Sequence, residues 1–455
     1  MRVAIVGSGV SGLTCAHLLH AEHEITLFEA DGRVGGHVHT VEADDGGCAV
    51  AVDTGFIVFN EATYPSFSRL LRRLGVESQP STMSFGLRDD RTGLEWNGSS
   101  LDQIFAQRRN LLRPSFHRMV RDLARFRREA GALLREGDDR LTLGDYLGRE
   151  GYSREFVEQC LVPMGASIWS ADPRRFREFP ARALVQFFWN HRFLEADQPQ
   201  WRVVKGGSAR YVEALTRPFR DRIRLATPVR AVRRLPEHVE VTPQGGPPQR
   251  FDRIIVATHS DQALRLLSDA TPLERELLSA VPYQENDTVL HTDASVLPRA
   301  RKAWGSWNYL VPAEERARVA VTYHMNRLQS LEASRDFCVS LNLGDAIAPE
   351  KVLRRFASQH PVFTPAGLAA QPGRRRPPGR PQPAPPEDAI ELGEVEVRHE
   401  ERVGEGVRHR CHPPVSHRAQ VEGGGEGPRA HSSLPKWRQT ASALATPSSW
   451  NPWRQ

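Results

Sequence analysis

A short apolar run that ends in three spaced glycines opens the chain and constrains its fold most strongly. Residues 2–6 read Arg-Val-Ala-Ile-Val, a length typical of a buried parallel strand, and Gly7, Gly9 and Gly12 follow in a G-x-G-x-x-G pattern. A helix-like stretch comes next, and a second strand-like run over residues 24–28 stops at an acidic residue. Strand, glycine loop, helix, strand and acid in this order predict the start of a nucleotide-binding α/β domain.

Each glycine has its own role in such a loop. Gly7 permits the tight turn, Gly9 lets the backbone approach a pyrophosphate, and Gly12 lets the helix pack on the strand. The following helix begins near Val10 and Ser11, and its N-terminus presents unpaired N–H groups and a partial positive charge to phosphates. We therefore predict that this turn binds a dinucleotide.

The acid at the end of the second strand completes the predicted site. Glu29 stands roughly 20 residues past the first glycine, where a dinucleotide fold places its ribose-binding carboxylate. We expect Glu29, with Ala30 beside it, to accept hydrogen bonds from both hydroxyls of an adenosine ribose. The glycine pattern alone is weak evidence, because such turns also occur for structural reasons, but its full context is much more specific.

The segment after Glu29 helps to distinguish between dinucleotides. A plain nicotinamide-binding domain would run directly into a third strand–helix unit. Here residues 33–37 read Arg-Val-Gly-Gly-His and lead into two alternating segments, near residues 38–42 and 48–52, with a turn at residues 44–47. This arrangement disfavours a nicotinamide-dependent reductase.

These motifs resemble the FAD-dependent amine oxidase superfamily, which also contains phytoene desaturases and protoporphyrinogen oxidases. In that group the acid is followed by an arginine and paired glycines, and residues 29–36 match the pattern E-x-x-x-R-x-G-G. Residues 52–56 match the D-x-G segment that returns toward the flavin. The resemblance implies FAD as the cofactor, with further contacts from Gly35, Gly36, His37, Gly55 and Phe56. His37 is a departure, since many relatives have arginine there.

Segments beyond residue 200 continue the resemblance. Residues 201–208, followed by a helix-like stretch, resemble the superfamily's strand–Gly-Gly–helix element. Residues 223–232 resemble the strand pair in which a valine, here Val229, meets the adenine through its backbone. Residues 251–258 form an apolar strand expected beside the nucleotide domain. The resemblance implies one FAD-binding domain assembled from separated parts of the chain.

The predicted fold class is α/β: a Rossmann-like FAD-binding domain with an inserted α+β substrate domain and a disordered C-terminal tail. The expected segments are residues 1–95 and 201–270 for the FAD-binding domain, 96–200 for a mostly helical part of the substrate domain, 271–370 for its strands and further helices, and 371–455 for the low-complexity tail.

Composition changes abruptly at that tail. Residues 372–381 read Pro-Gly-Arg-Arg-Arg-Pro-Pro-Gly-Arg-Pro, and phenylalanine and tyrosine are absent from residues 371–455. Such a composition buries too little apolar surface to offset its ordering entropy. The superfamily closes its flavin pocket with a strand, a glycine turn and a helix. These elements are not found in residues 371–455. We favour a shifted reading frame over a genuine flexible tail; the gene's nucleotide sequence past codon 370 tests this.

Charge and cysteine content set further expectations. The chain has 455 residues, a formal net charge of +6 and five cysteines without metal-ligand spacing, so no metal site is predicted. No recognition motif accompanies the charge, which argues against nucleic-acid binding. The expected location is the cytoplasm. One helical region either docks on anionic lipid headgroups or is simply a solvated face; its basic residues are Arg108, Arg109, Arg113, Arg118, Arg121, Arg125, Arg127 and Arg128.

The sequence thus predicts an FAD-dependent oxidoreductase that oxidises or desaturates a small substrate by hydride transfer to the flavin. An apolar or lipid-like substrate is favoured, because carotenoid desaturases share this architecture. No catalytic side chain is identified, since the flavin performs the difficult step and the protein orients the substrate. Two alternatives stay open: an NAD(P)-dependent reductase, and a degenerate or non-catalytic dinucleotide-binding protein.

Overall fold

A computed structural model describes residues 1–370 apart from 137, 139, 196–197, 315 and 317. The predicted tail at residues 371–455 lies outside the described residues. The strands in the described part are β1 (Arg2–Val6), β2 (Glu24–Phe28), β3 (Thr40–Asp44), β4 (Ala49–Asp53), β5 (Val58–Phe59), β6 (Ser78–Pro80), β7 (Phe85–Asp89), β8 (Leu94–Asn97), β9 (Arg202–Val204), β10 (Ile223–Arg224), β11 (Val229–Arg234), β12 (Val239–Pro243), β13 (Gln249–Phe251), β14 (Arg253–Val256), β15 (Tyr283–His291), β16 (Trp307–Val311), β17 (Val321–His324), β18 (Cys338–Leu341) and β19 (Val352–Pro361).

Helices occur both in the nucleotide-binding part and in the middle of the chain. The α-helices are α1 (Val10–Leu19), α2 (Pro65–Leu74), α3 (Leu101–Ile104), α4 (Pro114–Glu129), α5 (Leu133–Glu136), α6 (Leu143–Arg149), α7 (Arg154–Phe156), α8 (Val162–Trp169), α9 (Ala181–Asn190), α10 (Ala209–Thr216), α11 (Ser260–Leu266), α12 (Pro272–Ser279), α13 (Met325–Leu328) and α14 (Pro365–Ala369). A π-helical segment, Val157–Leu161, precedes α8. Short 3-10 helices lie at Arg108–Leu112, Ala130–Ala132, Phe176–Glu178, Arg217–Arg222, Ala294–Val296, Arg301–Ala303 and Pro349–Lys351.

The nucleotide-binding sheet is parallel and has the strand order β10-β2-β1-β14. Side chains of β1 alternate between two apolar cores: Val3 and Ile5 pack with helices α1 and α10, whereas Ala4 packs with strands β11, β12 and β14. A parallel strand covered on both faces must be apolar throughout, which explains the run that opens the sequence. The strand β14, far along the chain, completes this sheet, so the sheet is assembled from separated segments.

A seven-stranded sheet has the order β19-β15-β18-β17-β16-β7-β8. It contains the strands after residue 271 and also β7 and β8, so residues 85–97 pair with the later part of the chain. The domain boundaries proposed from the sequence, of which one is residue 95, stay a prediction. The smaller sheets are the hairpin β3–β4, the antiparallel β11–β12–β13 and the short β5–β9–β6.

The middle of the chain is helical, as its periodicity predicts. Helix α4 places Phe116, Met119 and Phe126 on one buried face, at helical spacing. These side chains share an aromatic-rich core with helices α6, α8 and α9. The described structure is a mixed α/β fold, which confirms the predicted fold class.

Candidate functional site

The glycine turn after β1 is built from three glycines in different surroundings. Gly7 has a φ of +102°, and a Cβ there would lie 2.5 Å from the carbonyl oxygen of Ala257 at the end of β14. A Cβ on Gly12 would overlap the carbonyl oxygen of Gly7. At Gly9 an added Cβ would meet no atom within 4 Å. Gly7 and Gly12 therefore close the turn, while Gly9 leaves space beside its backbone.

Helix α1 offers its N-terminus to that space. Gly9 is its N-cap, no side chain caps it, and its first turn contains no acidic residue. The first intrahelical bond observed joins Leu13 N to Gly9 O at 3.0 Å. The amides of Val10 and Ser11 therefore have no intrahelical partner and can donate to an anion, supported by the helix dipole. The open cradle and these donors fit a dinucleotide pyrophosphate.

Glu29 lies next to this turn at the end of β2. Its Oε2 accepts from the backbone N–H of Ser8 at 2.8 Å and from the Ser8 hydroxyl, and its Oε1 accepts from Asp31 N at 2.8 Å. A carboxylate has about four lone-pair positions, so three internal bonds leave room for roughly one more. The protein thus holds Glu29 in place, and Oε1 is the oxygen with capacity for a ribose hydroxyl.

The paired glycines pack directly against the first turn. Gly35 N donates to Ser8 O at 3.0 Å, and a Cβ on Gly36 would lie 3.0 Å from Gly9 Cα. Arg33 donates to the carbonyl oxygens of Gly36 and Val38, both at 2.9 Å. The arginine of the motif therefore fixes the shape of the glycine turn.

The D-x-G segment closes on the same turn. A Cβ on Gly55 would overlap the carbonyl oxygen of His37, and Phe56 N donates to that oxygen at 3.4 Å. The predicted cofactor residues in the ranges 7–12, 29–30, 35–37 and 55–56 are thus brought together in one region.

Val229 reaches this region through its preceding linker. Thr227 N donates to Glu29 O at 2.8 Å, and Ala226 N donates to Asp31 O at 2.9 Å. Val229 then begins β11, with a register shift at its start. The predicted adenine-binding valine therefore follows a linker that is hydrogen-bonded to the backbone of Glu29, the predicted ribose-binding acid.

A buried carboxylate holds the D-x-G segment, and the sequence did not identify it as a site residue. Asp53 is fully buried and accepts from Ser208 N at 2.9 Å, from Gln329 Nε2 at 3.0 Å and from the Thr40 hydroxyl. Burial raises the pKa of Asp53 to about 6, and the hydrogen bonds from Thr40 and Ser208 oppose that rise. Its partners come from residues far apart in the sequence, so only the D-x-G motif could have indicated its importance.

Histidines from three segments meet beside the paired glycines. The ring of His37 lies 5.5 Å from that of His259 and 5.7 Å from that of His360, and its Nε2 bonds Gln359 O at 2.9 Å. Burial, and then the neighbouring histidines, lower the pKa of His360 to about 4. Burial and His37 also lower the pKa of His259. In the described part of the chain, no group of three or more His, Cys, Asp and Glu side chains is arranged to hold a metal.

An aromatic cluster extends from the D-x-G segment into the helical region. The ring of Phe56 lies 6.4 Å from Tyr64, and Tyr64 lies 6.1 Å from His191 and 6.5 Å from Trp201. The His191 and Trp201 rings are nearly parallel, with an interplanar angle of 4°. Phe187 stacks on His191 at 4.0 Å. We call these five residues the aromatic cluster; the sequence had shown only that the middle of the chain is rich in aromatic residues.

The comparison with protein families distinguishes FAD from a nicotinamide dinucleotide as the cofactor. The model of the flavin containing amine oxidoreductase family matches residues 10–291, more than half of the chain. The chain belongs to the flavin-containing amine oxidoreductase family. FAD is therefore its cofactor, and the glycine turns remain the predicted site for it.

Parts of the chain are also similar to individual proteins and to solved structures. Protoporphyrinogen oxidase 2 of Arabidopsis thaliana is 40% identical over 79 residues, which are 17% of this chain and 15% of the relative. Putrescine oxidase bound to putrescine has a TM-score of 0.58 at 16% identity, over 83% of this chain and 92% of that chain. A fatty acid isomerase from P. acnes has a TM-score of 0.52 at 16% identity, over 80% and 86%.

The sequence matches to curated relatives are short. They span between 9% and 23% of those relatives' lengths. The low-identity structural likeness supports the fold, and the family match supports the cofactor. None of the described helices is both long and apolar enough to cross a membrane.

Proposed function

We propose that this family member is an FAD-dependent oxidoreductase that oxidises or desaturates an apolar, lipid-like substrate at the aromatic cluster. The observation that carries the proposal is the continuity of the cluster with the D-x-G segment, through Phe56 and Tyr64. Gly55, next to Phe56, is one of the predicted cofactor contacts. A substrate among these rings would therefore lie beside the cofactor-binding segment.

The charge state of the cluster favours an uncharged substrate. Burial lowers the pKa of His191 to about 4, although its bond to Phe187 O opposes this, and burial raises the pKa of Tyr64. Both side chains are therefore neutral at pH 7, and the remaining members of the cluster carry no titratable group. A low-polarity lining of this kind suits an acyl or isoprenoid chain better than a charged group.

Two polar atoms of the cluster lack partners among the described residues. His191 Nδ1 bonds the carbonyl oxygen of Phe187 at 2.9 Å and must donate there, so the neutral ring carries its lone pair on Nε2. That Nε2 and the Trp201 Nε1–H are buried and unpaired. Buried polar atoms without partners are uncommon in proteins. They support a substrate that has one polar group, such as a hydroxyl, on an otherwise apolar body.

The cofactor and the protein have different roles in the proposed reaction. FAD, when bound, supplies the ring that accepts a hydride from the substrate. The aromatic cluster orients the substrate and excludes water, and Trp201 and His191 anchor its polar group. This division explains why no catalytic acid or base is evident among the described residues.

Anaerobic reduction of the purified chain tests the proposal. We expect a yellow preparation, or one that becomes yellow with added FAD, whose visible absorbance is bleached by long-chain unsaturated or hydroxylated lipids. The same panel should contain primary amines. Bleaching by amines alone would retain the flavoenzyme assignment and refute the lipid-like substrate. A preparation that takes up no FAD but binds NADH would refute the proposal altogether.

The Trp201→Phe variant tests the role of the aromatic cluster. It keeps an aromatic ring and removes the N–H donor, so we expect KM for a bleaching substrate to rise about fivefold to tenfold, the loss of roughly one hydrogen bond. Trp189→Phe is the matched control, since Trp189 is 51% exposed on the neighbouring helix α9. Equal KM values for the two variants would contradict the placement of the substrate.

A further inference from the structure

Three exposed leucines lie on one short segment of the chain, from residue 101 to residue 113. Leu101 is 76% exposed, Leu111 50% and Leu112 87%. Single exposed apolar side chains are normal, but a group of them on one surface segment commonly marks a binding surface. The segment is held together by Arg108, which bonds both Asp102 and the carbonyl oxygen of Phe105.

Basic residues belong to the same segment as these leucines or bond to it. Lys302 Nζ lies 2.9 Å from Asp102, so Lys302 and Arg108 share a single carboxylate and leave one excess positive charge. Arg109 donates to the carbonyl oxygen of Gly93, which is neutral and does not compensate its charge. The apolar patch therefore has a cationic border.

A cleft of about 500 Å³ lies next to this segment. Arg113, the residue after Leu112, lines the cleft. Arg91 and Arg154 also line this cleft, and each pairs with an acid, Asp89 and Glu158 respectively. The backbone of Arg113 bonds Asn110 and His117, but its guanidinium has no hydrogen-bond or ion-pair partner within the described part of the chain. The cleft thus places an uncompensated guanidinium beside the exposed leucines.

We infer that this leucine–arginine surface docks on an anionic lipid bilayer. Leu101, Leu111 and Leu112 enter the interface between headgroups and acyl chains, and Arg109 and Arg113 contact lipid phosphates. Apolar insertion and electrostatic attraction are each weak alone, but together they support stable peripheral binding. The inference is independent of the proposed function, because no residue of this surface belongs to the cofactor turns or the aromatic cluster.

Vesicle flotation with the full chain tests the inference. Vesicles of phosphatidylcholine with roughly 30% phosphatidylglycerol should bind the protein, whereas pure phosphatidylcholine vesicles should bind it at least about tenfold less, and added salt should weaken binding. Equal binding to both vesicle types would overturn the inference. Release of the bound protein by millimolar glycerol phosphate would also overturn it, because the cleft would then be a site for a free phosphate.

Paired variants separate this surface from general positive charge. Leu111→Ser with Leu112→Ser should lower vesicle partitioning on the order of tenfold. Leu273→Ser, at a 55% exposed leucine on α12, is the matched control and should change it less than about twofold. Unchanged partitioning of the leucine pair variant would contradict insertion.

Two pairs of arginine variants test whether the cations of this surface contribute to vesicle binding. Arg109→Gln with Arg113→Gln should lower partitioning about tenfold, since each cation near an anionic surface contributes to binding. Arg127→Gln with Arg128→Gln removes the same charge at the opposite end of α4, roughly 20 Å away, and should have little effect. Equal losses in the two pairs would show general electrostatic attraction and overturn the inferred surface. Circular dichroism confirms that each variant is folded.

Discussion

At the scale of single residues, the glycines of the first turn have separable roles. A side chain on Gly12 would collide with the Gly7 carbonyl, whereas Gly9 faces open space in an ordinary backbone conformation, with a φ of −63°. The sequence motif predicts glycine at both positions but cannot separate packing from ligand approach. The geometry can, because it shows which Cβ would meet protein atoms.

We therefore expect Gly9→Asp to lose affinity for FAD and Gly12→Ala to lose stability. Aspartate is a good N-cap, so Gly9→Asp should leave the free energy of unfolding within about 1 kcal/mol of wild type while its charge repels the pyrophosphate. FAD affinity should fall at least about tenfold. Gly12→Ala should lose about 1–3 kcal/mol of stability through overpacking. Urea unfolding and FAD titration measure both, and comparable stability losses in the two variants would contradict these roles.

At the scale of elements, Asp53 connects the end of β4 to the start of α10 and to the residue after α13, through Ser208 and Gln329. The folded-state pKa, about 6, is raised above the ordinary value of 3.8. The folded chain therefore binds a proton more tightly than the unfolded chain does. The stability that this group contributes is present below pH 3.8 and is lost as the pH rises through 6.

Asp53→Asn should remove that pH dependence. The free energy of unfolding of wild type, relative to the variant, should fall by about 2 kcal/mol between pH 4.5 and pH 7. Urea denaturation at several pH values measures the difference, and Asp45→Asn, at an acid bonded to Ser334 on the surface, serves as a control. A difference between wild type and Asp53→Asn that is constant with pH would refute a raised pKa.

Element positions were predictable where the signal is local. The first strand, its helix and the hairpin β3–β4 follow from apolar patterns and turn residues within short windows. β19 pairs with β15 and brings Gln359 and His360 to His37, and the bond between His37 and Gln359 joins residues 322 positions apart. Nothing local records that pairing. The same reason explains why β7 and β8 were not foreseen in the seven-stranded sheet.

At the scale of the whole molecule, buried neutral histidines should make the fold sensitive to acid. His291 accepts from Asp293 N at Nδ1 and bonds the Ser340 hydroxyl through Nε2, and burial lowers its pKa to about 4. His191 has a similarly lowered pKa, again because of burial. A depressed folded-state pKa means that stability is complete above pH 6.5 and is lost as the pH falls through 4.

His291→Asn should reduce that acid sensitivity, because asparagine Oδ1 can still accept from Asp293 N but has no ring to protonate. The contribution of one such histidine between pH 6.5 and pH 4 is about 3 kcal/mol. We expect the midpoint of acid unfolding, followed by circular dichroism, to move to lower pH. His238→Asn, at a histidine with a surface partner in Glu240, should leave it unchanged. An unmoved midpoint in His291→Asn would contradict the account.

We expect the turns around Gly9 and Gly36 to hold FAD, which can be measured by titrating the purified chain with FAD. Absorbance between 350 and 500 nm should show one FAD bound per chain, and Gly9→Asp should abolish or greatly weaken that binding while circular dichroism stays that of the wild type. Wild-type protein that remains colourless with excess FAD, or FAD binding that Gly9→Asp leaves unchanged, would contradict it.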